Sequence, residues 1–124
     1  MARLFRVILP VSNIDDAALF YGKLLEHPGQ RVSEGRHYFD CGGVILACFD
    51  PSREDGYRAR PNPEQIYFAV GDLKAVFARA RTLGCREIDD QIKTQPWGER
   101  SFYFVDPFGN QICFVDEKTV FTGI

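Results

Sequence analysis

The chain has 124 residues, 45% of them hydrophobic and 14% aromatic, with a formal net charge of −2. That is enough apolar material for one compact domain with a buried core, and too much for a disordered chain. Scattered lysines and arginines give no electrostatic footprint for nucleic acid, and no apolar run is long enough to span a bilayer, so neither partner is expected. Met1 to Arg6 lacks the apolar segment and cleavage site of a secretion signal, which makes the cytoplasm the expected location. Cys41, Cys48, Cys85 and Cys113 form no C-x-x-C pair and read as reduced thiols rather than disulfides or a zinc site.

Residues 4–11 alternate, with Phe5, Val7, Leu9 and Val11 on one face and Leu4, Arg6, Ile8 and Pro10 on the other. Period 2 marks a strand whose richer apolar face packs on a helix. Ser12 is the expected N-cap of that helix, with Asp15 three residues on. Ile14, Ala17, Ala18, Tyr21, Leu24 and Leu25 carry the helical period until His27-Pro28-Gly29 ends it. Two strands follow, at 36–40 and 43–49. Residues 50–64 hold prolines, Gly56 and charges without apolar period, and read as a polar linker.

A strand at 65–70 opens the second half. Asp72 caps a helix with Leu73, Val76, Phe77, Ala80 and Leu83 on its apolar face, closed by Gly84. Residues 86–92 are expected to add a short strand. A hairpin at 100–115 completes the half, its turn supplied by Asp106-Pro107-Phe108-Gly109-Asn110: proline presets φ, glycine allows positive φ, and asparagine tolerates it.

The second half repeats the first. Asp40-Cys41-Gly42-Gly43 falls on Asp106-Pro107-Phe108-Gly109 at an offset of 66 residues, which sets His37 on Tyr103. Val7 to Asn13 falls on Ile66 to Asp72 at an offset of 59. The expected fold class is α+β: two βαβββ modules, about 4–50 and 65–116, in a single domain. Each module has one helix over one sheet face, and the uncovered faces form a curved mixed sheet around a cavity.

Val11-Ser12-Asn13, Phe20-Tyr21, Val70-Gly71-Asp72 and Asp106-Pro107-Phe108-Gly109-Asn110, at these distances, make the chain resemble the vicinal-oxygen-chelate superfamily. That superfamily includes glyoxalase I, bleomycin-resistance proteins, extradiol dioxygenases and fosfomycin-resistance enzymes. The resemblance spans about residues 4–116. It implies a paired βαβββ fold, commonly a homodimer, around a small-molecule cavity. In catalytic members it implies a divalent metal, held by a histidine on each opening strand and a glutamate on the last strand. Those positions here are Arg6, Gln65 and Cys113, and the first-half counterpart of the last is Leu46 or Ala47. A guanidinium stays protonated and offers no lone pair, so no metal cofactor is expected.

Alternation assigns Arg6, Ile8, Gln65, Tyr67, Gln111, Cys113 and Val115 to the cavity side, together with Ser101 and Tyr103. The repeat adds His37. The ligand-binding candidates are therefore Arg6, His37, Gln65, Tyr67, Trp97, Arg100, Tyr103 and Cys113. Arg6 suits an anionic group, the tyrosines line a wall, and Trp97 caps the cavity mouth. Only one of the neighbours Glu99 and Arg100 can reach the cavity. His37 and Tyr103 are the candidate acid–base residues. The function expected is metal-free small-molecule binding of the bleomycin-resistance kind. The alternatives are a lyase or dioxygenase with non-standard metal ligands, or a metal-free isomerase.

Overall fold

The computed structural model describes residues 1–123 as two compact units, Met1–Asn62 and a second that begins at Pro63. The first runs β1 (Arg6–Pro10), α1 (Ile14–Leu25), β2 (Gln30–Ser33), β3 (Arg36–Cys41) and β4 (Val44–Phe49). Its sheet has the order β1-β4-β3-β2; β1 is parallel to β4 and the other pairings are antiparallel. The second runs β5 (Ile66–Val70), α2 (Leu73–Ala80), β6 (Glu87–Ile88), β7 (Lys93–Thr94), β8 (Arg100–Val105) and β9 (Gln111–Asp116). Its order is β5-β9-β8-β6, again with the opening strand parallel to the last, and β7 also pairs with β8. Each unit is built on the βαβββ plan with the same strand order, the second carrying the two-residue β7 as an extra strand, so the expected α+β class and repeat hold.

In the first unit Ala17, Phe20, Tyr21 and Leu24 of α1 are buried together with Leu9, Leu46 and Phe39 of the sheet. The Tyr21 and Phe39 rings lie 6.4 Å apart. Each fully buried large side chain contributes about 1.5–3 kcal/mol. The second unit packs α2 in the same manner: Phe77 meets Phe102 at 4.9 Å, and Phe68 stacks on Phe114 at 4.9 Å.

The helix cap differs by one residue from expectation. Asn13, not Ser12, is extended at φ −153°, and its side chain accepts the Asp16 N–H at 3.0 Å. Asp72 caps α2 as expected, accepting the Ala75 N–H at 3.1 Å. Helix α1 ends at Glu26 in the left-handed region, with its N–H on Gly22 O. The chain then passes Gly29, where φ is +62° and a Cβ would stand 2.7 Å from the Tyr38 carbonyl oxygen. Only glycine fits there.

Two further departures bear on the site. Residues 51–62 belong to the first unit: Asp50 caps a 3-10 turn at Pro51–Arg53, and Asn62 Nδ2 donates to Ile8 O at 3.2 Å. The hairpins also differ in length. Asp40 pairs with Ile45, whereas Val105 pairs with Gln111, so the second turn is one residue longer. The repeat offset is therefore 66 residues on β4 and β9 but 65 on β3 and β8. A one-residue slip turns every side chain of a strand to the other face. Tyr38, not His37, is the counterpart of Tyr103.

Candidate functional site

In the first unit the face away from α1 carries Arg6, Ile8 and Pro10 of β1, Ile45, Ala47 and Phe49 of β4, and Tyr38 and Arg36 of β3, which the register places side by side. The Arg6 guanidinium lies over the rings of Phe5 and Tyr38, at 5.0 and 5.4 Å. Arg36 lies 4.0 Å over the Phe49 ring and contacts Glu54 Oε1 at 3.4 Å. Residues 57–60 rise beside this face and close a cleft of about 710 Å³. Ile8, Pro10, Phe49, Pro51 and Tyr57 form its apolar lining, and Arg36, Arg58 and Arg60 its charged one.

His37 is absent from that face. It lies on the helix side, 8% exposed, with its ring 5.1 Å from Phe39. Nε2 contacts Pro28 O at 2.9 Å, and Nδ1 accepts from Arg31 Nε at 3.4 Å. Both contacts fit the neutral tautomer protonated at Nε2. The shorter hairpin reverses the parity that the repeat assigned to this residue, so it serves packing and not the open face.

In the second unit the parity expected from the sequence holds. Tyr67, Cys113 and Tyr103 are register partners across β5, β9 and β8, on the face away from α2. The two tyrosine hydroxyls share a hydrogen bond of 3.2 Å, with the rings edge to face at 6.0 Å. Gln65 joins this face through its amide, which donates to Gln111 Oε1 at 3.0 Å. Burial pushes the Cys113 thiol up to about 11, against hydrogen bonds from Tyr103 and Ser101 that favour the thiolate. Burial, and then the hydrogen bond to Tyr67, hold the Tyr103 hydroxyl far above the ordinary tyrosine range. Both groups stay neutral near pH 7, which suits a lining and not a nucleophile or base.

Trp97 stands at the tip of the β7–β8 hairpin, where Gly98 N–H bonds to Gln95 O at 2.9 Å. It lines a second cleft of about 420 Å³ with Tyr67, Glu99 and Phe121. Arg100 does not join it. Its neighbour Ser101 takes the open face, so Arg100 points to the α2 side and pairs with Asp116 at 3.5 Å. Sequence reasoning missed Tyr38, Arg36, Arg58 and Arg60. Counting residues through each hairpin would have found the first two; the arginines of the loop carried no periodic signal.

The family model described as Glyoxalase/Bleomycin resistance protein/Dioxygenase superfamily matches residues 3–114. The chain belongs to that superfamily. Its fold is similar to a lactoylglutathione lyase from Agrobacterium tumefaciens, at TM-score 0.73 and 20% identity, covering 100% of this chain and 98% of that one. It is also similar to a glyoxalase/bleomycin resistance protein from Albidiferax ferrireducens T118, at TM-score 0.76 and 20% identity, covering 93% and 98%. A superfamily member from Sphaerobacter thermophilus DSM 20745 aligns at TM-score 0.70 and 24% identity, covering 94% and 98%. At such identities the likeness is one of fold. Proteins of curated function gave no match.

The divalent metal that this fold family implies does not suit the side chains at the positions in question. Arg6 brings a permanent positive charge already stacked on two rings. Gln65, whose NH2 donates to Gln111 Oε1, has only a neutral amide oxygen to offer, and burial holds the Cys113 thiol in its protonated form. Among the described residues no group of three or more His, Cys, Asp or Glu is placed to hold a metal ion. Among those same residues no helix is long and apolar enough to cross a membrane.

Proposed function

We propose that the protein binds a small organic anion on the helix-free face of its first unit, without a resident divalent metal. The observation that carries this is the 710 Å³ cleft, in which aromatic and aliphatic walls meet three guanidinium groups. Its size falls in the range of small-molecule sites, which are mostly apolar with a few oriented polar groups. A planar guanidinium recognises a carboxylate or phosphate in bidentate fashion and keeps its charge at every physiological pH. Arg36 is partly satisfied by Glu54, so Arg58 and Arg60 supply the charge that the ligand meets.

Binding is favoured over acid–base chemistry by the state of the candidate residues. His37 is turned to the helix side, and Tyr103 holds its proton. The homodimer and the bleomycin-resistance-like role belong to the same proposal and rest on the superfamily resemblance, and a cytoplasmic location is proposed with them.

The test is calorimetric titration with aromatic carboxylates, using the unaltered chain and an Arg58→Ala/Arg60→Ala variant. The unaltered chain is expected to bind, and the variant to bind roughly tenfold or more weakly, as loss of charge-assisted hydrogen bonds implies. Equal affinity in both would remove the arginines, and with them the proposal.

A further inference from the structure

The cleft of the second unit has the opposite chemistry. Four aromatic residues, Tyr67, Phe68, Trp97 and Phe121, line it, and three of them, Tyr67, Trp97 and Phe121, are about half exposed, at 53%, 47% and 51%. Val115 and Val120 add apolar lining, and Glu99 is the single charged residue among the side chains that form it. The carboxylate is fixed in place. Its Oε1 accepts the Trp97 indole N–H at 2.8 Å, and its Oε2 accepts the Phe121 backbone N–H at 2.9 Å. One carboxylate thus ties the hairpin tip to the segment after β9, and so sets two of the three half-exposed rings. Arg100 N–H, bonded to Thr119 Oγ1 at 3.0 Å, and Thr119 Oγ1, bonded to Asp116 O at 2.8 Å, hold that segment further.

The geometry points to a binding site for an organic cation, of the quaternary or alkylated ammonium class. Aromatic faces attract such cations through their quadrupoles, and methylated ammonium groups lose little hydration on entering an apolar cage. Glu99 adds the counter-charge. A carboxylate has about four acceptor positions, so two N–H donors leave it able to face a cation. Among the described residues no Lys or Arg lines the cleft to neutralise it. An unsubstituted apolar ligand would leave the carboxylate without a countercharge, and an anion would be repelled. This site lies wholly in the second unit and is independent of the anion cleft of the first.

Trp97 is the only tryptophan of the chain, so its emission reports on this cleft directly. The experiment titrates the full chain with choline chloride, against sodium chloride of equal ionic strength and against dimethylbutanol, the neutral carbon isostere of choline. Choline is expected to change the Trp97 emission saturably, with at least about tenfold preference over the isostere. Glu99→Gln, which keeps an acceptor oxygen for the indole, is expected to weaken choline about fivefold and leave the isostere unchanged. Phe121→Leu conserves an apolar side chain and is expected to weaken choline also, which keeps the test open if the first variant folds poorly. An equal response to choline and its isostere would reduce the cleft to an apolar groove and overturn the proposal. So would no response, or a second copy of the chain covering Trp97 in solution. Organic-anion binding by the first unit, measured on the same samples, separates failure here from failure of the proposed function.

Discussion

Asp106→Ala is expected to be among the most damaging single substitutions in the second unit, although it removes no apolar surface. Asp106 is fully buried. Its Oδ1 accepts the N–H groups of Phe108 and Asn110, at 2.9 and 2.8 Å, and its Oδ2 accepts Asn110 Nδ2 at 3.1 Å. Alanine leaves three donors short of their acceptor, where each unmet buried donor costs about 1–3 kcal/mol. Partial rescue by water brings the expected loss to about 4 kcal/mol. The matched control is Asp40→Ala in the first unit. Asp40 is exposed and, among the described residues, accepts only the Gly43 N–H, at 2.8 Å, so water replaces it and the loss stays below about 1 kcal/mol. Urea unfolding followed by far-UV circular dichroism measures both. Equal losses in the two variants, or a loss below about 1 kcal/mol for Asp106→Ala, would refute the argument that burial of the turn sets its energy.

Other consequences follow from the side-chain positions. His37→Ala should cost about 1–3 kcal/mol, chiefly by leaving Pro28 O without its donor, while Arg31 loses its Nε contact but keeps Asp15 at 2.8 Å, yet leave anion binding unchanged in calorimetry; lost binding with intact stability would place His37 in the site after all. Cys113 should resist thiol reagents at neutral pH, with labelling that climbs as pH approaches about 11; rapid labelling of Cys113 at pH 7, found by peptide mapping, would contradict this. Because its folded pKa lies above that of an unfolded cysteine, the stabilising contribution of the neutral thiol is complete below about pH 9 and is lost as pH rises toward 11. Cys113→Ala should therefore flatten the alkaline fall in thermal stability between those values, whereas an unchanged alkaline profile would assign the fall to other groups.

Much of the architecture is legible in the chain because local signals agree with the global fold. The alternation of residues 4–11 gave the correct faces of β1, and the aromatic pattern of 100–115 gave those of β8 and β9. Asp72 caps where its side chain predicts, while Ser12 lost to Asn13 because both are good caps and extended geometry at one more residue decides. Strand β2 escaped notice: Gln30 to Ser33 has one apolar residue, Val32, and that one is exposed, so no period exists to detect. The candidate site split along the same line. Tyr67, Tyr103 and Cys113 were readable from parity within the second unit. His37 was assigned by the repeat, and a turn shorter by one residue reversed it. Arg58 and Arg60 matter through the path of an irregular loop, which no periodicity encodes.

The proposed function requires a guanidinium-lined cleft that holds its ligand without a metal. Its most direct test is one calorimetric titration of an organic anion, run with the metal-stripped protein in chelator and repeated with manganese added. Saturable one-site binding of the same affinity is expected in both. Binding that appears only with manganese would contradict it, and would return the chain to the metal-dependent members of its superfamily.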